Sequence, residues 1–112
     1  MIHTEIEEYI LSFADTWLDH SFGEESSVYK VGNKATAEGN MYAVIQNGTK
    51  PLRVSLKCDP ILAETLRAKY ETVVPGFKLN KKNWNTIICS GQLDDEEIKD
   101  LVRLSYNLVT SK

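Results

Sequence analysis

Two alternating runs constrain this fold most: Met41-Tyr42-Ala43-Val44-Ile45-Gln46 and Leu52-Arg53-Val54-Ser55-Leu56-Lys57, with Asn47-Gly48 between them. In the second run Leu52, Val54 and Leu56 fall on one side and Arg53, Ser55 and Lys57 on the other. That is the period of a strand with one face on a core. Asn-Gly tolerates positive φ at both positions, so the two runs fold back as an antiparallel hairpin. Val28-Tyr29-Lys30-Val31 alternates in the same way. It precedes two turn signals, Gly32-Asn33-Lys34 and Glu38-Gly39-Asn40, and the residues between them fit either a longer hairpin or a small extra loop. Three strands so closely joined make a meander.

Helices frame these strands. Ile2, Ile6, Tyr9, Ile10, Phe13 and Trp17 share one helical face and predict a helix over residues 4–18, with Thr4 and Glu7 as a capping box. Asp59-Pro60 predicts a helix start: the carboxylate accepts orphan N–H groups and proline at the first helical position lacks one. That helix runs to about Tyr70. Trp84 to Cys89 reads as a fourth strand. Asp94 with Glu97 caps a last helix, whose inward stripe is Ile98, Leu101, Val102, Ser105, Leu108 and Val109. The expectation is a single α+β domain over residues 1–112. It has an antiparallel sheet of about four strands packed by helices, in the order α-β-β-β-α-β-α.

The connector from Pro75 to Thr86 is the least ordinary segment. Pro-Gly opens a turn. Lys78, Lys81 and Lys82 follow with Asn80, Asn83 and Asn85 and no acid, interleaved with Phe77, Leu79 and Trp84. The net charge of −3 hides this asymmetry. Residues 1–25 carry seven acids and no base, whereas residues 26–88 carry ten bases and four acids. The middle of the chain is basic inside an acidic protein.

Three stretches together resemble the MmcQ/YjbR-like family: Leu56-Lys57-Cys58-Asp59-Pro60, the connector Pro75 to Thr86, and Ser105-Tyr106-Asn107-Leu108-Val109. Val28 to Lys34 and Met41-Tyr42-Ala43 fit its first hairpin, and residues 35–40 depart from it, standing where the family usually turns straight into its second strand. The resemblance implies a compact fold likened to the CyaY/frataxin architecture. It also implies DNA binding through a proposed "double wing" of hairpins.

The residues themselves allow the same chemistry. Lysines of the connector are suited to phosphates, and asparagines to sugar, phosphate or base edges. Lys30, Lys34, Arg53 and Lys57 lie on the strands of the neighbouring wing. The expected nucleic-acid site is therefore Lys30, Lys34, Arg53, Lys57, Lys78, Asn80, Lys81, Lys82 and Asn83. The competing reading is a solvated loop whose asparagines hold their own turn. Trp84 either stacks on a base or packs the loop onto the core, and its place at a strand start favours the core.

No catalytic set stands out. Asp59 is accounted for as a cap, His3 and His20 are separated by a helix, and no glycine-rich phosphate loop or metal-ligand spacing is present. Cys58 and Cys89 read as buried, reduced thiols. We therefore expect a non-enzymatic, cytoplasmic monomer with no cofactor, no metal and no membrane association, whose partner is DNA. The alternative is an adaptor that recognises another protein through its opposite-signed faces. Frataxin-like metal or partner binding by Glu5, Glu8, Asp15 and Asp19 is the weaker analogy.

Overall fold

The computed structural model describes residues 2–20, 22–36, 38–76 and 78–111. Its strands are β1 (Thr16–Asp19), β2 (Ser26–Asn33), β3 (Glu38–Gln46), β4 (Arg53–Lys57), β5 (Val73–Pro75) and β6 (Trp84–Ile88). They form one sheet in the order β1-β2-β3-β4-β6-β5, with every neighbouring pair antiparallel. Three helices, α1 (His3–Leu11), α2 (Pro60–Lys69) and α3 (Asp95–Thr110), cover one face. The sheet thus has six strands rather than about four, and its chain order carries two additional strands.

The central hairpin follows its alternation. Ala43 pairs with Leu56 and Ile45 with Val54, so these side chains enter the helix-covered core with Ile6, Ile10, Ile87, Ile98 and Val102. Asp59 caps α2 through Oδ2, which accepts from the Ile61 and Leu62 N–H groups at 3.1 and 3.2 Å. Asp94 and Glu97 form the expected capping box on α3.

The first helix is shorter than its apolar stripe. It ends at Leu11, and Asp15 takes a φ of 59°, which turns the chain into β1. Helical spacing in the sequence joined residues serving two elements. Ile6 and Ile10 are buried by α1, whereas Trp17 belongs to β1 and lies against Gly39. Thr4 is not the cap. Ile2 occupies that position, and Glu5 reaches back to its N–H at 3.2 Å.

The turn signals at Gly32 and Gly39 lie inside paired strands. Gly32 faces Gly39 and Asn33 faces Glu38, and the chain reverses only at the 3-10 turn Lys34–Thr36; Ala37 lies outside the described residues. Gly32 has a φ of 148°, and a Cβ there would stand 2.3 Å from the Glu38 carbonyl oxygen. These glycines permit close backbone approach rather than a turn. Pro75 ends β5 at the sheet edge, where its missing N–H removes no ladder bond from the interior.

A second, smaller core lies on the face away from the helices. Val28, Val44 and Trp84 are buried there, with Met41 and Leu79 packed on them. Residues 78–83 fold back across this face, and Leu79 brings the connector down onto the sheet.

Candidate nucleic-acid interface

Strand alternation selects the side chains of this outer face. Val54 and Leu56 enter the helix-covered core, so Arg53, Ser55 and Lys57 project the other way. Ser55 Oγ and Thr86 Oγ1 meet at 2.7 Å between β4 and β6. Above them lies a groove of about 650 Å³ walled by Phe22, Glu25, Gln46, Arg53, Lys78 and Leu79. Phe22 is 49% exposed.

Lys81 and Lys82 sit at one end of the connector beside Pro60, Glu64 and Arg67. The Arg67 Nη1 donates to the Lys81 carbonyl at 2.8 Å, and Cys58 N–H donates to the Asn83 carbonyl at 2.6 Å. The connector is therefore tied to α2 and to the end of β4. Lys57 pairs in register with Trp84 nearby.

The structure does not bring all nine expected residues together. Lys30 shares the outer face but pairs with Asp19 of β1 at 2.8 Å. Lys34 lies in the 3-10 turn next to Asp15 and Trp17, at the β1 side of the sheet. Addition of β1 at that edge, which helical periodicity concealed, accounts for both placements. Asn80 uses Oδ1 to accept the Lys82 N–H at 3.0 Å, and its carbonyl accepts the Asn83 N–H at 3.2 Å. Those bonds hold the turn, the competing reading for this asparagine. Asn85 does not face the groove at all. It is buried on the helix side, donating through Nδ2 to the Ala63 carbonyl at 3.2 Å.

Two residues outside the expected set join the site. Arg67 was legible only as an outward helix residue, because its partner is fourteen positions away. Phe22 carried a clearer signal, an aromatic in a polar loop before Gly23.

Trp84 is 5% exposed and belongs to the outer core, which leaves its ring no free face for a base. Both cysteines are free thiols. Burial, aided by Asp59, pushes the Cys58 thiol up to about 11, and burial also raises Cys89. Neither is a thiolate at neutral pH, the form a nucleophile requires. Burial pushes Tyr42 up to about 12, and burial together with its bond to Glu7 raises Tyr29 further. Among the described residues, no three His, Cys, Asp or Glu side chains cluster to hold a metal ion. No helix among them is long and apolar enough to cross a membrane.

The acids lie mainly elsewhere. Glu5 and Glu8 are on α1, and Asp95, Glu96, Glu97 and Asp100 are on α3, in the layer behind the sheet. Asp15 and Asp19 follow the first helix rather than stand on it, Asp19 in β1, while Glu25 walls the groove and Glu64 lies beside Lys81 and Lys82.

The profile of the YjbR family matches residues 11–108. The chain belongs to the YjbR family. It is 36% identical over 86 residues to the protein YjbR of Escherichia coli K12, covering 75% of this chain and 73% of that one. The protein YbdF of Escherichia coli O157:H7 is 27% identical over 88 residues, covering 79% and 67% of the two chains. Among solved structures, a Deinococcus radiodurans protein with a DUF419 domain superposes with a TM-score of 0.90 at 34% identity, over 97% of this chain and 78% of that one. A Pseudomonas syringae protein superposes with a TM-score of 0.79 at 26% identity, over 97% and 99%. Both superpositions cover nearly the whole of this chain and its six-stranded sheet.

Proposed function

We propose that this YjbR-family protein binds nucleic acid, DNA in the first instance, through the outer face of its sheet. One observation carries the reading: Arg53 and Lys78 line the same groove as the exposed ring of Phe22. Cations there would neutralise phosphates, and the ring offers a stacking surface to a base. Lys81, Lys82 and Arg67 extend the positive surface along the connector toward α2. The acids of α1 and α3 lie in the opposite layer, where they do not oppose an approaching phosphate backbone. Glu25 is the acid that stands in the groove itself, against Arg53 and Lys78.

The site is smaller than the sequence reading. Arg53, Lys57, Lys78, Lys81 and Lys82 form it, with Arg67 and Phe22 added. Lys30 is held by Asp19, and Lys34 serves as an internal control. Fluorescence anisotropy with mixed-sequence duplex and single-stranded DNA at low salt tests this assignment. Arg53→Gln and Lys78→Gln are expected to weaken binding, and Lys34→Gln to leave it unchanged. Equal effects from all three variants would mean a diffuse charge effect and no site. Absence of binding would instead favour a protein-recognising adaptor.

A further inference from the structure

On the helix side of the sheet, behind the proposed nucleic-acid face, α2 and α3 do not close fully over β6. A pocket of about 210 Å³ remains between them. Leu62 and Leu66 of α2 and Leu101, Leu104 and Leu108 of α3 wall it, and Asn85 of β6 forms part of the lining. Leu104 and Leu108 are 47% and 43% exposed, so the pocket opens toward solvent along α3.

Asn85 is the anomaly in this wall. Its β6 neighbour on the same face is Ile87, and Leu56 pairs with it across the sheet. A branched apolar residue suits such a position, yet an amide stands there at 3% exposure. Its Nδ2 donates to the Ala63 carbonyl. A carbonyl only accepts, which fixes which end of the amide is which. The Oδ1 is then left buried with no hydrogen-bond partner among the described residues. Unpaired buried acceptors are costly and uncommon, and each calls for an explanation.

We propose that this pocket binds a small, neutral, mainly apolar molecule carrying one hydrogen-bond donor, an O–H or N–H that pairs with Asn85 Oδ1. That atom is closed to solvent until the side chains of the wall shift to admit the donor. Size supports the class, since an apolar cavity of about 150 Å³ accommodates benzene. The combination of an apolar wall with one placed polar group is also typical of small-molecule sites. Water is a poor substitute, because it needs about two to four polar partners and the wall is mainly apolar, with Asn107 and Ser111 only at the end of α3. Charge has no match here. Lys57 and Asp59 also line the pocket, but the Lys57 side chain leaves β4 on the outer face with Trp84, Asp59 is committed to the α2 cap, and Cys58 stays a neutral thiol.

Indole and indene make a matched probe pair, alike in shape but differing in the N–H. Methyl-labelled protein is titrated with each and followed by NMR. Indole is expected to shift the methyl signals of Leu62, Leu66, Leu101, Leu104 and Leu108 saturably, and to bind at least tenfold more tightly than indene. Asn85→Leu should abolish that preference. If this variant fails to fold, the indole-to-indene ratio of the native protein still decides. Equal affinities, no saturation, or shifts confined to residues outside the pocket would overturn the proposal. So would concentration-dependent shifts of the same leucines without probe, which would mean that a second copy closes this face.

Discussion

Asp59 shows how a side chain's role follows from its neighbours in sequence. Followed by proline, it caps α2 with one carboxylate oxygen shared between two N–H groups. Asp59→Ala should cost about 1 kcal/mol and Asp59→Asn almost nothing, as thermal melts of the two variants will show. Trp84 was legible as a core residue from its strand-start position. Its actual neighbours Val28, Val44, Met41 and Leu79 were not, because they gather only when the connector folds back. Trp84→Ala should destabilise by about 3–5 kcal/mol in denaturant titration. Cys58 makes a prediction in pH. Its folded pKa of about 11 lies above the ordinary thiol value of 9.0, so between those limits the folded state binds more protons than the unfolded state. Stability from this group is therefore intact below pH 9 and is lost as pH rises toward 11. Urea titrations across that range should fall less steeply for Cys58→Ala than for the native protein; parallel curves would contradict the assignment.

At the scale of elements, local chemistry was legible wherever it was locally decided. Asn47-Gly48, Asp59-Pro60 and the Asp94/Glu97 box each marked a boundary that the structure keeps. β1 escaped notice because Trp17 falls at helical spacing from Phe13, while the feature that makes it a strand residue, Gly39, lies twenty-two positions on. The glycines in the first hairpin misled for a related reason. A glycine that allows turning and one that allows close approach look alike in sequence, and only the partner backbone separates them. Gly32→Ala tests this. With a positive φ and the Glu38 carbonyl in the way, it should destabilise by about 1–3 kcal/mol and loosen the β2–β3 pairing, read by amide hydrogen exchange. A neutral substitution would return Gly32 to an ordinary turn position.

Across the whole molecule, the sheet divides two kinds of surface. Its outer face carries Arg53, Lys57 and the lysines of the connector, and its helix layer carries most of the acids together with the leucine-walled pocket. The segmental charge imbalance in the sequence anticipated this separation. It did not anticipate that Asp19 would pair with Lys30 and withdraw it from the positive surface. Salt dependence of DNA binding tests the central claim most directly. Anisotropy titrations at several salt concentrations should give a log K that falls linearly with log salt, at about −0.9 per neutralised phosphate on duplex DNA. Replacing Lys78, Lys81 and Lys82 together by glutamine should flatten that slope by up to about three contacts' worth without changing the fold. Failure to bind at low salt, or a slope that the triple variant leaves unchanged, would contradict the account.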